Sequence, residues 1–185
     1  MRFILASSSE RRIEYLKNFG FDFEVKKIEV TEKIFNNDPV KTVVYNAYMK
    51  AYKVRKHYNL PVVGMDTIVE LNGRIFGKPK DEKENVKMIK KLLGNSHRVI
   101  TGIVALKDEF SIIDYEISIV HFRKEVDMEL IKKYVASKEG LDKAGGYAIQ
   151  GLGSIFIDEV SGPLDNVIGV PILKVHEILK MMEEV

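Results

Sequence analysis

The sequence reads as a protein of mixed helices and strands built on a mixed sheet. Apolar runs of strand length alternate with longer segments whose apolar residues recur at helical spacing, and turn signals separate them along the chain. At 185 residues, 45% hydrophobic and 30% charged, the composition is that of an ordinary globular protein. A chain of this length buries a core large enough to need no disulfide or metal staple.

Residues 3–6 form an apolar run of the kind found in buried strands. Ser7, Ser8 and Ser9 then offer N-caps for a helix that Gly20 ends, with Ile13, Leu16 and Phe19 at helical spacing. Residues 21–25 alternate like a strand. Asp38-Pro39 starts a second helix that runs to His57, with Val43, Ala47, Lys50, Ala51 and Val54 on one face. Pro61 opens a buried run over 62–65; Asp66-Thr67 follows, then the apolar 68–71, and Asn72-Gly73 is a hairpin turn that returns through 74–76.

Gly77-Lys78-Pro79 comes next, then an amphipathic helix over 81–93 capped by Gly94. Two strands over 97–107 and 111–122 join near Asp108, and a helix covers 127–138. A glycine-rich segment over 143–153 precedes a strand expected at Ile155-Phe156-Ile157, a turn at Gly162-Pro163, and a last helix after Pro171. No linker or repeat interrupts the chain. The pattern fits either an α/β or an α+β arrangement.

The chain has no cysteine, which excludes a disulfide framework, a zinc–cysteine site, an iron–sulfur cluster and a cysteine nucleophile. With 29 basic against 27 acidic residues, the net charge of +2 speaks against a general nucleic-acid binder. The opening apolar run is too short for a signal peptide, and no window is apolar enough to span a membrane, so a cytoplasmic protein is expected. There is no P-loop, no HExxH and no GxSxG. The four histidines lack metal-ligand spacing and read as surface or structural groups.

Four segments carry candidate chemistry, each with a plainer alternative. In residues 5–12 an apolar strand runs through serines into a helix whose first turn holds Arg11 and Arg12. Free N–H groups and two guanidinium forks make an anion site there; the alternative is a capped surface helix with solvated arginines. Arginines in a first turn oppose the helix dipole, which favours the anion site. Asp66 sits within an apolar run, where a carboxylate is costly unless paired or bound to metal. It reads as a metal ligand or water-activating base, or as a strand-end acid. Lys78 offers a point charge, although a plain turn explains its motif equally. In the glycine-rich segment Gln150 can present both a donor and an acceptor to a nucleobase, and Tyr147 can stack or pack; a tightly packed turn is the alternative. Glu29 and Glu32 read as solvated loop charges on spacing alone.

Taken in order, six segments resemble the Maf family of nucleoside triphosphate pyrophosphatases over almost the whole chain. They are residues 5–12 (LASSSERR), 64–69 (GMDTIV), 77–79 (GKP), 97–102 (HRVITG), 142–151 (DKAGGYAIQG) and 166–171 (NVIGVP). The sequence departs from the family pattern at Glu10, where a proline is usual, at Met65, where a small residue is usual, and at Pro163-Leu164-Asp165. No proposed catalytic group is lost.

The resemblance implies an inosine-triphosphatase-like α/β fold, with an elongated mixed sheet flanked by helices in two lobes. It implies one domain over residues 1–185 with a central nucleotide cleft. The implied reaction is hydrolysis between the α- and β-phosphates, with a divalent cation (Mg²⁺ or Mn²⁺), in a cytoplasmic homodimer. Carried over by position, Asp66 is the base and a metal carboxylate, and Glu32 is a second metal carboxylate. Ser7, Arg11, Arg12, Lys50 and Lys78 hold the triphosphate. Arg11, Thr67 and Gln150 match the subgroup that prefers dTTP and UTP, including modified pyrimidine forms, over 7-methyl-GTP. The partner expected is thus a nucleoside triphosphate, not nucleic acid or membrane. The rival readings are a non-catalytic nucleotide-binding regulator, for instance one acting in cell-division arrest, and a nucleic-acid module using the arginines and lysines.

Overall fold

Strand β1 (Phe3–Ala6) lies between two parallel neighbours, β2 (Phe23–Lys26) and β3 (Val62–Leu71). This comes from a computed structural model that describes residues 1–184. β3 continues into the antiparallel hairpin strand β4 (Arg74–Phe76) through Asn72 and Gly73, both at positive φ as a tight turn of this kind requires. With β5 (Ser96–Lys107), β6 (Phe110–Phe122) and β7 (Ile157–Ser161) the sheet has seven strands, in the order β2-β1-β3-β5-β6-β7, with β4 on β3. The helices are α1 (Glu10–Asn18), α2 (Pro39–Arg55), α3 (Glu82–Leu92), α4 (Met128–Ala136), α5 (Leu164–Ile168) and α6 (Ile172–Glu183). The expected class, mixed α/β, is the one found.

The chain divides into two compact units. One comprises residues 1–67, 101–116 and 169–185; the other comprises 68–100 and 117–168. In the first unit strand alternation sends side chains to both faces. Phe3, Leu5, Val63, Met65, Ile103 and Ala105 pack with Leu16 of α1 and Val175, Ile178 and Met182 of α6. On the opposite face Ile4, Ala6, Val62, Val104 and Leu106 meet Ala47, Ala51 and Val54 of α2. In the second unit α3 and α4 contribute Met88, Ile89, Leu92, Ile131, Tyr134 and Val135 to one core with Val69, Val99, Val120, Phe122 and Phe156.

Three local readings need amendment. Ile155 and Phe156 are not strand: residues 152–156 form a 3-10 turn, and the strand begins at Ile157. Phe156 is fully buried and its carbonyl accepts from Arg123, while the Glu139 carboxylate takes the N–H groups of Leu152 and Gly153. The chain is thus held in a tight turn before it can extend. Residues 164–168, to which the sequence reading assigns no element between the Gly162-Pro163 turn and the last helix, form a short helix. The pieces read separately over 62–71 are one ten-residue strand with Asp66 inside it.

Candidate active site

The register pairs Ala6 with Gly64, so Ser7, just past the carboxyl end of β1, follows on beside Met65 and Asp66 midway along β3. In open α/β sheets the carboxyl end of a strand such as β1 is where ligands are bound. The turn after β1 leads directly into α1, whose N-cap is Ser9; its hydroxyl accepts from the Arg12 N–H.

The Arg12 side chain then turns inward and is buried. Its Nε donates to the Gly169 carbonyl at 3.0 Å. Nη1 donates to Ser7 Oγ at 3.1 Å and to the Met65 carbonyl at 3.2 Å, and Nη2 to Thr67 Oγ1 at 3.3 Å. Thr67 Oγ1 in turn lies 2.9 Å from Thr101 Oγ1. Burial lowers the Arg12 pKa to about 10, against the pull of Asp66, which raises it, so the group stays charged at neutral pH. One guanidinium therefore ties Ser7, the β3 backbone, Thr67 and the chain entering α6. Arg11, one residue earlier, is half-buried.

Asp66 is 5% exposed. Its Oδ1 lies 2.5 Å from Lys50 Nζ, and the same ammonium is 3.0 Å from Glu32 Oε1. Its Oδ2 accepts from Asn46 Nδ2 at 3.2 Å. Burial is the largest influence on Asp66 and pushes its pKa up from the ordinary carboxylate value; Lys50 pulls it down and Glu32 pushes it up further. The carboxylate is thus poised between desolvation, which favours the proton, and two donors, which favour ionisation.

These contacts depend on how closely α2 lies on the sheet. A Cβ on Gly64 would stand 2.2 Å from the Ala47 carbonyl, and one on Gly102 would stand 2.6 Å from the Val43 carbonyl carbon. Only glycine fits at either place. The helix then turns a polar stripe toward the connection over residues 27–38. Thr42 Oγ1 accepts from the Phe35 N–H, Asn46 holds Lys33, Lys50 meets Glu32, and Lys53 donates to the Glu29 carbonyl. The two segments run antiparallel and fasten rung by rung. Glu32 is thereby drawn to Asp66 through Lys50, although spacing alone reads it as a solvated loop charge.

In the second unit, Lys78 and Gln150 are both exposed. The loop of Lys78 is tied to the glycine-rich segment by a bond from the Gly145 N–H to the Gly77 carbonyl at 3.0 Å. Gly145 and Gly146 both have positive φ, and a Cβ on Gly145 would strike Val69. Two side chains, Asn85 and Tyr134, donate to the Gly146 carbonyl. Tyr147 packs rather than stacks: it is buried, and its hydroxyl lies 2.7 Å from His97 Nε2. Burial pushes the tyrosine pKa up and lowers the histidine to about 3, so both are neutral. His97 is thus a structural histidine, as its lack of ligand spacing indicates.

Sequence reasoning missed Asn46, Thr42, Thr101, Asn85 and Glu139. For Asn46 there is a usable signal: an amide four residues before Lys50, on the helix face otherwise read as apolar. Thr42, Asn85 and Glu139 meet loops without periodicity, and Thr101 depends on β5 lying beside β3.

The sequence model of a family described as "Maf-like protein" matches residues 2–182. The chain belongs to the Maf family. Among curated relatives, the dTTP/UTP pyrophosphatase of Aquifex aeolicus is 41% identical over 97% of this chain and 95% of that protein. The dTTP/UTP pyrophosphatase of Pyrococcus furiosus is also 41% identical, over 97% and 95%. That of Thermosipho africanus is 43% identical over 97% and 92%. A solved structure of a HAM1 protein from Coxiella burnetii aligns with TM-score 0.52 at 18% identity, covering 69% of this chain and 75% of that one. The Maf chain therefore shares its fold with the Ham1 proteins. No described helix is long and apolar enough to cross a membrane.

Proposed function

We propose that this Maf protein hydrolyses dTTP and UTP, and modified pyrimidine nucleotides, to the monophosphate and pyrophosphate. The observation that carries the reading is the buried Asp66 carboxylate, held by Lys50 and Asn46 beside Glu32, in the middle of β3 just beyond the carboxyl end of β1. The relatives named dTTP/UTP pyrophosphatase, matched along nearly their full length, support the choice of substrate.

In this reading Asp66 accepts the proton of the attacking water, and its burial keeps it basic enough to do so. Ser7, Arg11, Lys50 and Lys78 bind the triphosphate. Arg12 adds a fixed positive charge; with its N–H groups given to protein acceptors, it acts largely by placing Ser7 and Thr67. Positioning and charge neutralisation supply most of the rate. Arg11, Thr67 and Gln150 select the base, and an exposed amide at Gln150 suits the O4/N3–H edge of a pyrimidine.

The donor set suits a divalent cation. Asp66 and Glu32 already converge on one ammonium, and carboxylates joined by phosphate oxygens are the ligands that Mg²⁺ and Mn²⁺ take. Asp66 and Glu32 would hold the ion, which supplies Lewis-acid charge on the phosphate oxygens. The resemblance also supports a cytoplasmic homodimer with no nucleic-acid or membrane partner.

Pyrophosphate release from a panel of canonical and modified nucleoside triphosphates, with Mg²⁺ or Mn²⁺ and with EDTA, tests this. Metal-dependent monophosphate and pyrophosphate from dTTP and UTP are expected. Preference for 7-methyl-GTP would overturn the base assignment. Nucleotide binding without turnover would put a regulatory role first.

A further inference from the structure

We infer that Asn46 is a positioning residue that sets the separation of Asp66 and Glu32, by bonding Asp66 and the backbone next to Glu32 with one side-chain amide. This rests on the enzymatic reading above and adds to it a group that the motifs do not contain.

The amide orientation follows from its surroundings. The Lys33 N–H can only donate, and it lies 2.9 Å from the Asn46 oxygen. The nitrogen must then face the other two partners. It donates one hydrogen to the Lys33 carbonyl at 3.1 Å and the other to Asp66 Oδ2 at 3.2 Å. Both hydrogens of the nitrogen are used, and Asn46 is 3% exposed, so the bridge is shielded from water. No other side chain of this size offers an acceptor and two donors in one plane. Aspartate lacks the donors, leucine lacks both, and serine is shorter.

The consequence is geometric. Lys33 is gripped on both its N–H and its C=O, so the preceding residue, Glu32, leaves the backbone at a fixed point. The same amide holds Asp66 by the oxygen that Lys50 does not take. Lys50, one helical turn further along α2, meets Asp66 by its other oxygen and Glu32 by Oε1. The ammonium balances the charge, and Asn46 sets the spacing. In its proposed phosphate-binding role Lys50 shares its ammonium with the triphosphate; the amide bridge has no such competitor and keeps the two carboxylates in register for a cation.

The test uses three variants of the full chain, assayed with dTTP and saturating Mg²⁺, with amide hydrogen exchange followed on metal-free, nucleotide-free protein. Asn46→Leu is expected to lower kcat about 10–100-fold, the range for groups that orient metal ligands, with little change in KM. It also speeds exchange at the Lys33 amide. Asn46→Asp, isosteric and able to accept from the Lys33 N–H, keeps that amide protected but loses kcat, because a second carboxylate replaces the donor to Asp66. Thr42→Val removes a neighbouring rung that does not touch Asp66; it speeds exchange at Phe35 and leaves kcat unchanged. Should Asn46→Leu fail to fold, Asn46→Asp carries the test. Wild-type kcat in the Asn46 variants, or equal kcat loss in Thr42→Val, would overturn the inference alone. A wild-type protein that releases no pyrophosphate would overturn it together with the enzymatic reading.

Discussion

The Ala47 carbonyl oxygen stands 2.2 Å from where a Cβ on Gly64 would lie. Helix α2 therefore rests on bare backbone at β3, and that close seat is what lets Lys50 and Asn46 reach Asp66. Gly64→Ala is expected to lift the helix, lowering stability by about 1–3 kcal/mol or more and costing turnover as well. Gly77→Ala, where nothing stands within 4 Å, leaves the melting temperature unchanged. Calorimetry of the two variants, with activity measured on the first, checks this. A fully active Gly64→Ala would refute it.

Asp66→Asn should fold and lose most turnover. It also has a pH signature. Burial raises the Asp66 pKa above its ordinary 3.8, so the folded state holds the proton more tightly than the unfolded state. Stability from this group is therefore lost as pH rises through the interval between the two values. Asparagine has no such proton. The melting temperature of the variant relative to wild type is expected to climb as pH rises above the ordinary carboxylate range. A constant difference across that rise would contradict the raised value.

Arg12→Lys tests the buried guanidinium. An ammonium cannot serve the Gly169 and Met65 carbonyls, Ser7 and Thr67 together. A loss of at least about 2 kcal/mol is expected in urea unfolding. Arg11→Lys, at a half-buried position, leaves stability near wild type and instead raises KM for nucleotide. Equal stability losses in the two variants would remove the distinction.

His97 makes the second unit sensitive to acid. Its folded pKa of about 3 lies below the unfolded 6.5, so between those values the unfolded state binds the extra proton. Stability rises with pH across that window and is lost as pH falls through it, by up to a few kcal/mol. His97→Gln lowers the baseline, because the ring packs edge-on against Phe122, but flattens the slope between about pH 6.5 and about pH 4.5. Urea midpoints at several pH values would show it; parallel slopes would refute it.

Much of this was legible in the sequence because it was local. Ser9 capping α1, Asp38-Pro39 opening α2 and the Asn72-Gly73 turn each follow from a few adjacent residues. Asp66 stood out because a carboxylate in an apolar run needs a partner. What escaped depends on placement. Asn46 looks like an unremarkable helix residue until the connection over 27–38 is laid against it, and that connection has no periodicity to read. The tightness of Gly64 and Gly102 appears only once α2 is seated. Phe156 passed for a strand residue because an apolar triplet before a turn carries no mark of a 3-10 bend.

The first core also has a consequence for synthesis. Phe3 and Leu5 are made well before α6, yet they pack with Val175, Ile178 and Met182 of that helix. The Met1 ammonium likewise pairs with Glu183 at 2.7 Å. As the chain grows, the α6 side of this core stays open until residues 172–183 have been made. The first unit therefore closes its core only once its last helix is in place, which makes α6 the late step of its folding.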